Sequence, residues 1–179
     1  LFLNGALGTI LLGTAVATFF TGSAFSVNDM NQSRWEMGSH GLEAALNLHN
    51  LSLGLAIFFL SRVLGIIYFM NTIDHKELYE RSKKQLLINA IPFVFFFLVF
   101  LIWLLLRDGF AVNPETQEVY MENFKYLHNL LAMPFVLVLL LVGVVSVLWS
   151  IAGTYLKDIK YNLWYAGVGT VLVVFSLFL

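Results

Sequence analysis

Long apolar runs joined by short polar segments constrain this chain more than any other feature. Runs of about twenty residues fall at roughly 1–25, 43–70, 86–106, 127–152 and 162–179. As helices they match the thickness of a bilayer, and they are too long for membrane strands. In lipid every backbone donor and acceptor must be satisfied within the chain, which leaves only helices or closed barrels. The expected fold is therefore all-α: one domain over 1–179, a polytopic membrane helix bundle of about five transmembrane helices. The linkers are short and polar, so neighbouring helices are expected to run antiparallel.

Composition agrees. The 179 residues are 59% hydrophobic and 12% charged, and a soluble domain carries roughly twice that charge fraction. Seventeen phenylalanines supply lipid-facing bulk. A net charge of −1 argues against nucleic acid or an acidic substrate as partner. The lack of cysteine excludes disulfides, iron–sulfur clusters, zinc–thiolate sites and thioether-linked haem. Leu1 opens one apolar run and Leu179 closes another, neither with a charged flank, as expected of a piece of a longer chain.

Lysine and arginine in the linkers set the expected orientation. Linker 26–42 carries Arg34. Linker 71–85 carries Lys76, Arg81, Lys83 and Lys84. Segment 107–126 carries Arg107 and Lys125 among acidic residues, and 153–161 carries Lys157 and Lys160. The second and fourth linkers are thus expected in the cytoplasm, the first and third outside. Tyr68, Trp149, Tyr155, Tyr161, Trp164 and Tyr165 then fall near cytoplasmic ends, and Trp35 and Trp103 near the outer side.

Small residues mark candidate packing faces, because lipid offers no hydrophobic drive between helices and close approach must supply the contact. In the first run Gly5, Thr9, Gly13, Ala17 and Thr21 recur every four residues, and Thr14, Thr18 and Gly22 form a second row. This helix is expected to be packed over much of its circumference. The fourth run offers Gly143, Ser146, Ser150 and Gly153, and the fifth Ala166, Gly167, Gly169 and Thr170. The third is bulky all round and reads as lipid-facing scaffold, with Pro92 in its first turns.

The second run carries the polar chemistry. At about 100° per residue, Glu43, Asn47, Asn50, Gly54, Ser61 and Gly65 share one face and form a candidate polar seam. Near the outer surface, plain hydration explains its first members equally well. Arg62 is the one charge inside the apolar spans, at a cost of about 2.5 kcal/mol or much more. It lies about 7 Å to the cytoplasmic side of the expected helix midpoint. Snorkelling to a lipid headgroup, contact with a partner helix, and binding of an anion are all open to it.

Catalytic and metal-binding patterns are missing. His40 and His75 lie in linkers, while His49 and His128 fall near outer helix ends. No two histidines have the i, i+3 or i, i+4 spacing of a metal pair. A two-helix site from His49 and His128 is geometrically open, although a lone histidine at a helix end is usually hydrogen-bonded to its surroundings. The spans hold no paired carboxylates, and there is no nucleophile motif or phosphate-cradling glycine loop. No catalytic, cofactor-binding or metal residue is expected.

Two stretches resemble subunit II of the cytochrome bd quinol oxidases. One is GALGTILLGTAVATFFTGSAFSV at 5–27; the other is HGLEAALNLHNLSLGLAIFFLSRVLGIIYFMN at 40–71. The outer segment with Asp108, Gly109 and Phe110 extends the likeness. The resemblance implies a middle-to-late part of that subunit, its fourth to eighth helices, in a bacterial inner membrane. It implies a complex that oxidises quinol, reduces dioxygen to water and serves aerobic electron transport. Haem b and haem d are then expected on the partner, subunit I, which this chain supports. A structural quinone or membrane lipid is a further possible ligand. The family's early Asp–Gly–Phe–Asp and Trp–Asp–Gly–Asn runs do not occur here, so no haem-binding or catalytic residue is carried over. Half of a secondary transporter, or a purely structural scaffold, is the alternative.

Overall fold

The computed structural model describes residues 2–156 and 161–179. Leu1 lies outside the described residues, as do Lys157 and Lys160, whose place in the fourth linker supported the orientation above. The fold is an all-α helical bundle. Its described helices are α1 (Phe2–Thr21), α2 (Leu48–Thr72), α3 (Lys76–Leu105), α4 (Lys125–Ala132), α5 (Pro134–Leu156) and α6 (Asn162–Phe178). By length and composition α1, α2, α3 and α5 can each cross a membrane. The apolar α6 has 17 residues, at the lower end of the spanning range.

Local chemistry sets the helix ends, and several differ from the apolar boundaries. α1 stops where Gly22 takes a left-handed conformation (φ 75°) and its N–H closes on the Thr18 carbonyl at 2.8 Å. α2 starts at Leu48, not 43, because Leu42–Leu46 form a separate 3₁₀ turn. Glu43 and Asn47 therefore do not continue the face of α2. α3 starts at Lys76, well before the apolar run at 86: KELYERSKKQ is rich in helix formers, and the His75 side chain accepts from the Leu78 N–H. Pro92 consequently sits inside α3 rather than in its first turns. Its missing N–H leaves the Ile88 carbonyl without the usual intrahelical bond, a loss that membrane helices tolerate. The expected fourth span 127–152 is broken at Met133, whose φ of −116° and ψ of 77° lie outside the helical region that a following proline disfavours. Pro134 then opens α5, where it sacrifices no bond.

Two of the linkers are not simple loops. β1 (Phe25–Val27) pairs antiparallel with β2 (Ser33–Trp35), Ser26 opposite Arg34. β3 (Gly109–Val112) pairs antiparallel with β4 (Val119–Glu122), Phe110 opposite Met121.

The chain divides into two compact units. The first comprises Leu1–Ser61 and Pro92–Leu101. At its centre α1 and α2 meet through glycine: a Cβ on Gly13 would lie 2.6 Å from Gly54 Cα, and one on Gly54 would lie 2.7 Å from the Ile10 carbonyl oxygen. Ala17 and Phe100 are fully buried there, and Phe20 meets the Phe100 ring edge-on. The second unit comprises Arg62–Ile91 and Ile102–Leu179. Here α5 and α6 cross at Gly143 and Gly169: a Cβ on Gly143 would lie 2.9 Å from the Gly169 carbonyl oxygen, and one on Gly169 would lie 2.8 Å from the Gly143 carbonyl oxygen. Ala166, Leu140 and Val147 pack around that crossing, and the Ser150 hydroxyl donates to the Asn162 carbonyl.

Two packing expectations need correction. α1 is packed on one side only within this chain: Gly13, Thr14 and Ala17 are buried, while Leu3, Leu7, Leu11 and Phe19 are exposed. α3 is not lipid-facing all round. Leu86, Asn89, Ala90, Phe93, Phe100 and Leu104 form a buried stripe at helical spacing, and Ile91, Phe95 and Ile102 face outward.

These contacts separate two glycines that share one sequence row. We expect Gly13→Leu to destabilise the protein by about 1–3 kcal/mol, the cost of overpacking a close contact. Gly5→Leu should stay within about 0.5 kcal/mol, because nothing lies within 4 Å of a Cβ there. Thermal denaturation of the purified protein in detergent measures both.

Candidate functional site

The cation inside α2 has a partner on α3. Arg62 Nε donates to Asn89 Oδ1, and Asn89 Nδ2 donates to the Gln85 carbonyl oxygen at 2.7 Å. The second bond fixes the amide: with its NH₂ held by its own helix, the oxygen is the atom presented to Arg62. Asn89 is 2% exposed, whereas Arg62 is only partly buried. Because α2 begins at Leu48, its midpoint falls near Leu60, and Arg62 lies about 3 Å from it rather than 7 Å. Thr72, the last residue of α2, is about 15 Å further along the axis. That distance exceeds what one extended side chain covers, so depth argues against snorkelling to a headgroup.

The expected polar seam is dispersed. The Glu43 carboxylate accepts from the Ser39 hydroxyl and, at 3.0 Å, from the Gly41 N–H, and the Ser39 bond foremost holds its pKa below the ordinary value. Asn47 caps α2, its Oδ1 accepting from the His49 N–H at 2.9 Å. Asn50 is buried; it accepts from the Thr21 hydroxyl at 3.0 Å and donates to the Ala44 carbonyl at 3.1 Å, tying α1 and the 3₁₀ turn to α2. Ser61 is exposed and donates to the Phe58 carbonyl of its own helix. Of the small residues, Gly13, Ala17 and Gly143 lie in contacts, the Cβ of Ser146 abuts Gly169, and Thr9 bonds only to carbonyls of α1.

The described histidines sit in different local settings. His49 is 2% exposed, its ring stacked on Phe100 at 4.8 Å between centroids. Both its ring nitrogens are enclosed by protein, so an iron at bonding distance would overlap neighbouring side chains. His75 caps α3. Among the described residues no group of three or more His, Asp or Glu is placed to hold a metal ion. His49 is therefore not placed to ligate a haem iron.

Sequence reasoning missed Asn89, although a signal existed. Arg62 lies ten residues before the end of α2 and Asn89 thirteen after the start of α3, so in an antiparallel hairpin the two fall within about one helical turn of each other in depth. It also missed a charged cluster beside the second hairpin. Glu122, at the end of β4, accepts from Lys125 Nζ at 2.7 Å, and its other oxygen lies 2.9 Å from His128 Nδ1. These bonds, Lys125 first, lower its pKa below 4.5. The same lysine packs over Gly109 of β3, so the cluster ties the hairpin to α4.

Four described helices long and apolar enough to cross a membrane, one with a cation at mid-span, define a multi-pass membrane protein. The comparisons agree in kind. The family model for cytochrome bd terminal oxidase subunit II matches residues 1–179. The chain belongs to that family, and so to a membrane-bound terminal oxidase complex of the respiratory chain. Among curated proteins none matches it at a significant level.

The Glu122 bonds predict a pH dependence. A carboxylate whose pKa is lower folded than unfolded stabilises above the unfolded value and loses that contribution as pH falls through the folded one. Protection of the β4 amides in hydrogen exchange should drop on acidification below about 4.5 relative to a Glu122→Gln variant measured in parallel. Identical pH profiles for the two proteins would contradict this.

Proposed function

We propose that this chain is the non-haem-ligating subunit of a quinol:dioxygen oxidoreductase, supporting a haem-bearing subunit in aerobic electron transport. In the complex, quinol is oxidised to quinone and dioxygen is reduced to water, with haem b and haem d carried by subunit I. The observation that carries this reading is the family match along the entire chain. The enclosed nitrogens of His49 support the assignment of the haems to the partner. The exposed apolar face of α1 supports burial against lipid or further protein. A structural quinone or lipid would occupy such a face. The placement is the bacterial inner membrane, with the α2–α3 linker in the cytoplasm and both hairpins outside, as the basic residues of the linkers favour.

The transporter alternative has less support. Such proteins bind substrate at interrupted helices near the midplane. Here α2, α3 and α5 run unbroken through Gly54, Gly65, Pro92 and Gly143.

The test is a reduced-minus-oxidised absorption spectrum of the complex isolated from native membranes through a tag on the full-length chain. Haem b and d bands with a co-purifying larger subunit are expected. A colourless preparation of intact, folded chain would overturn the proposal. In the same preparation Arg62→Leu should lower recovery of assembled complex about tenfold while changing the amount of inserted chain about twofold or less. Loss of insertion and assembly in equal measure would reduce Arg62 to a folding role.

A further inference from the structure

We infer that the hairpin of β3 and β4 docks, through its bare face, on a water-exposed segment of another subunit whose apolar side chains are ringed by lysine or arginine. This rests on the oxidase-subunit reading above and names one contact within that complex.

Three observations carry it. First, the hairpin has one covered face and one bare face. The register sets Phe110 opposite Met121 and Val112 opposite Val119, so these four side chains share a face. All four are more than half exposed. The opposite face is the one that α4 covers: Ala111 is buried, Lys125 packs over Gly109, and Glu122 bonds to Lys125 and His128. Aromatic side chains and methionine are favoured in the cores of protein interfaces, with polar residues at the rim. Second, the rim is acidic. Residues 108–122 include Asp108, Glu115, Glu118 and Glu122 and no lysine or arginine. Glu122 is held by Lys125, while Asp108, Glu115 and Glu118 are exposed. Segments that lie on a bilayer surface carry lysine and arginine toward its phosphates. An acidic rim around an apolar patch instead complements a protein surface with basic residues around its own apolar patch. Third, Val119 lines an open groove of about 650 Å³ together with Asn113, Glu118 and Tyr120. A groove with an acidic residue in its wall suits one lysine or arginine side chain of such a partner.

Photo-cross-linking tests the inference. A benzophenone-bearing residue is placed at Val112, which is exposed and faces away from α4. The complex is isolated from native membranes through a tag on the full-length chain and irradiated after purification. The expected product joins this chain to a co-purifying subunit, at a peptide that bears lysine or arginine. Glu115→Lys/Glu118→Lys should lower the yield of that product about fivefold at low salt, with chain insertion unchanged. Phe110→Thr/Met121→Thr keeps residues suited to strands and should lower it about tenfold. Adducts to lipid alone, to a second copy of this chain or to no protein overturn the inference, as does a yield that neither pair of substitutions changes. With haem present in the preparation, those results leave the oxidase reading intact. Wild-type chain that brings down neither haem nor a second subunit overturns the oxidase reading, and this inference with it.

Discussion

At Gly13 and Gly54, and again at Gly143 and Gly169, helix backbones approach so closely that an added methyl group would overlap a neighbour. Water squeezes apolar helices together, but lipid does not, because its tails are as apolar as the side chains. Association then depends on dispersion at short range, which falls off steeply with separation. Each unit has such a contact near its centre, and its larger side chains are arranged around it: Phe100 and Ala17 in the first, Ala166 and Val147 in the second. Hydroxyl groups follow the same economy. Thr9, Thr14 and Ser52 return their protons to carbonyls of their own helices, and the Thr21 and Ser150 hydroxyls reach across to another element.

Periodicity in the sequence exposes rows of small residues, but a row is longer than the contact it serves. Gly5 and Gly13 share spacing and helix, and only Gly13 meets a neighbour. Crossing helices touch over a limited length, and where they cross depends on both partners, which no single row records. Boundaries failed for a different reason. Hydropathy marks where the chain is apolar, whereas helix continues as long as propensity and capping permit. That is why α3 reaches back to Lys76 and why α2 yields to a 3₁₀ turn over Leu42–Leu46. The break at Pro134 was legible in principle, since a proline opens a helix more readily than it interrupts one. The two hairpins were hidden because their strands, three or four residues each, are too short to show alternation.

The polar couple shows what residue types reveal without geometry. Arg62 stands out in any reading because a charge in hydrocarbon is rare. Asn89 does not, because an asparagine near the start of an apolar run resembles a residue at the membrane surface. The early start of α3 is what places Asn89 deep, opposite Arg62. An error of about three turns in one helix boundary concealed the partner of the chain's most constrained side chain.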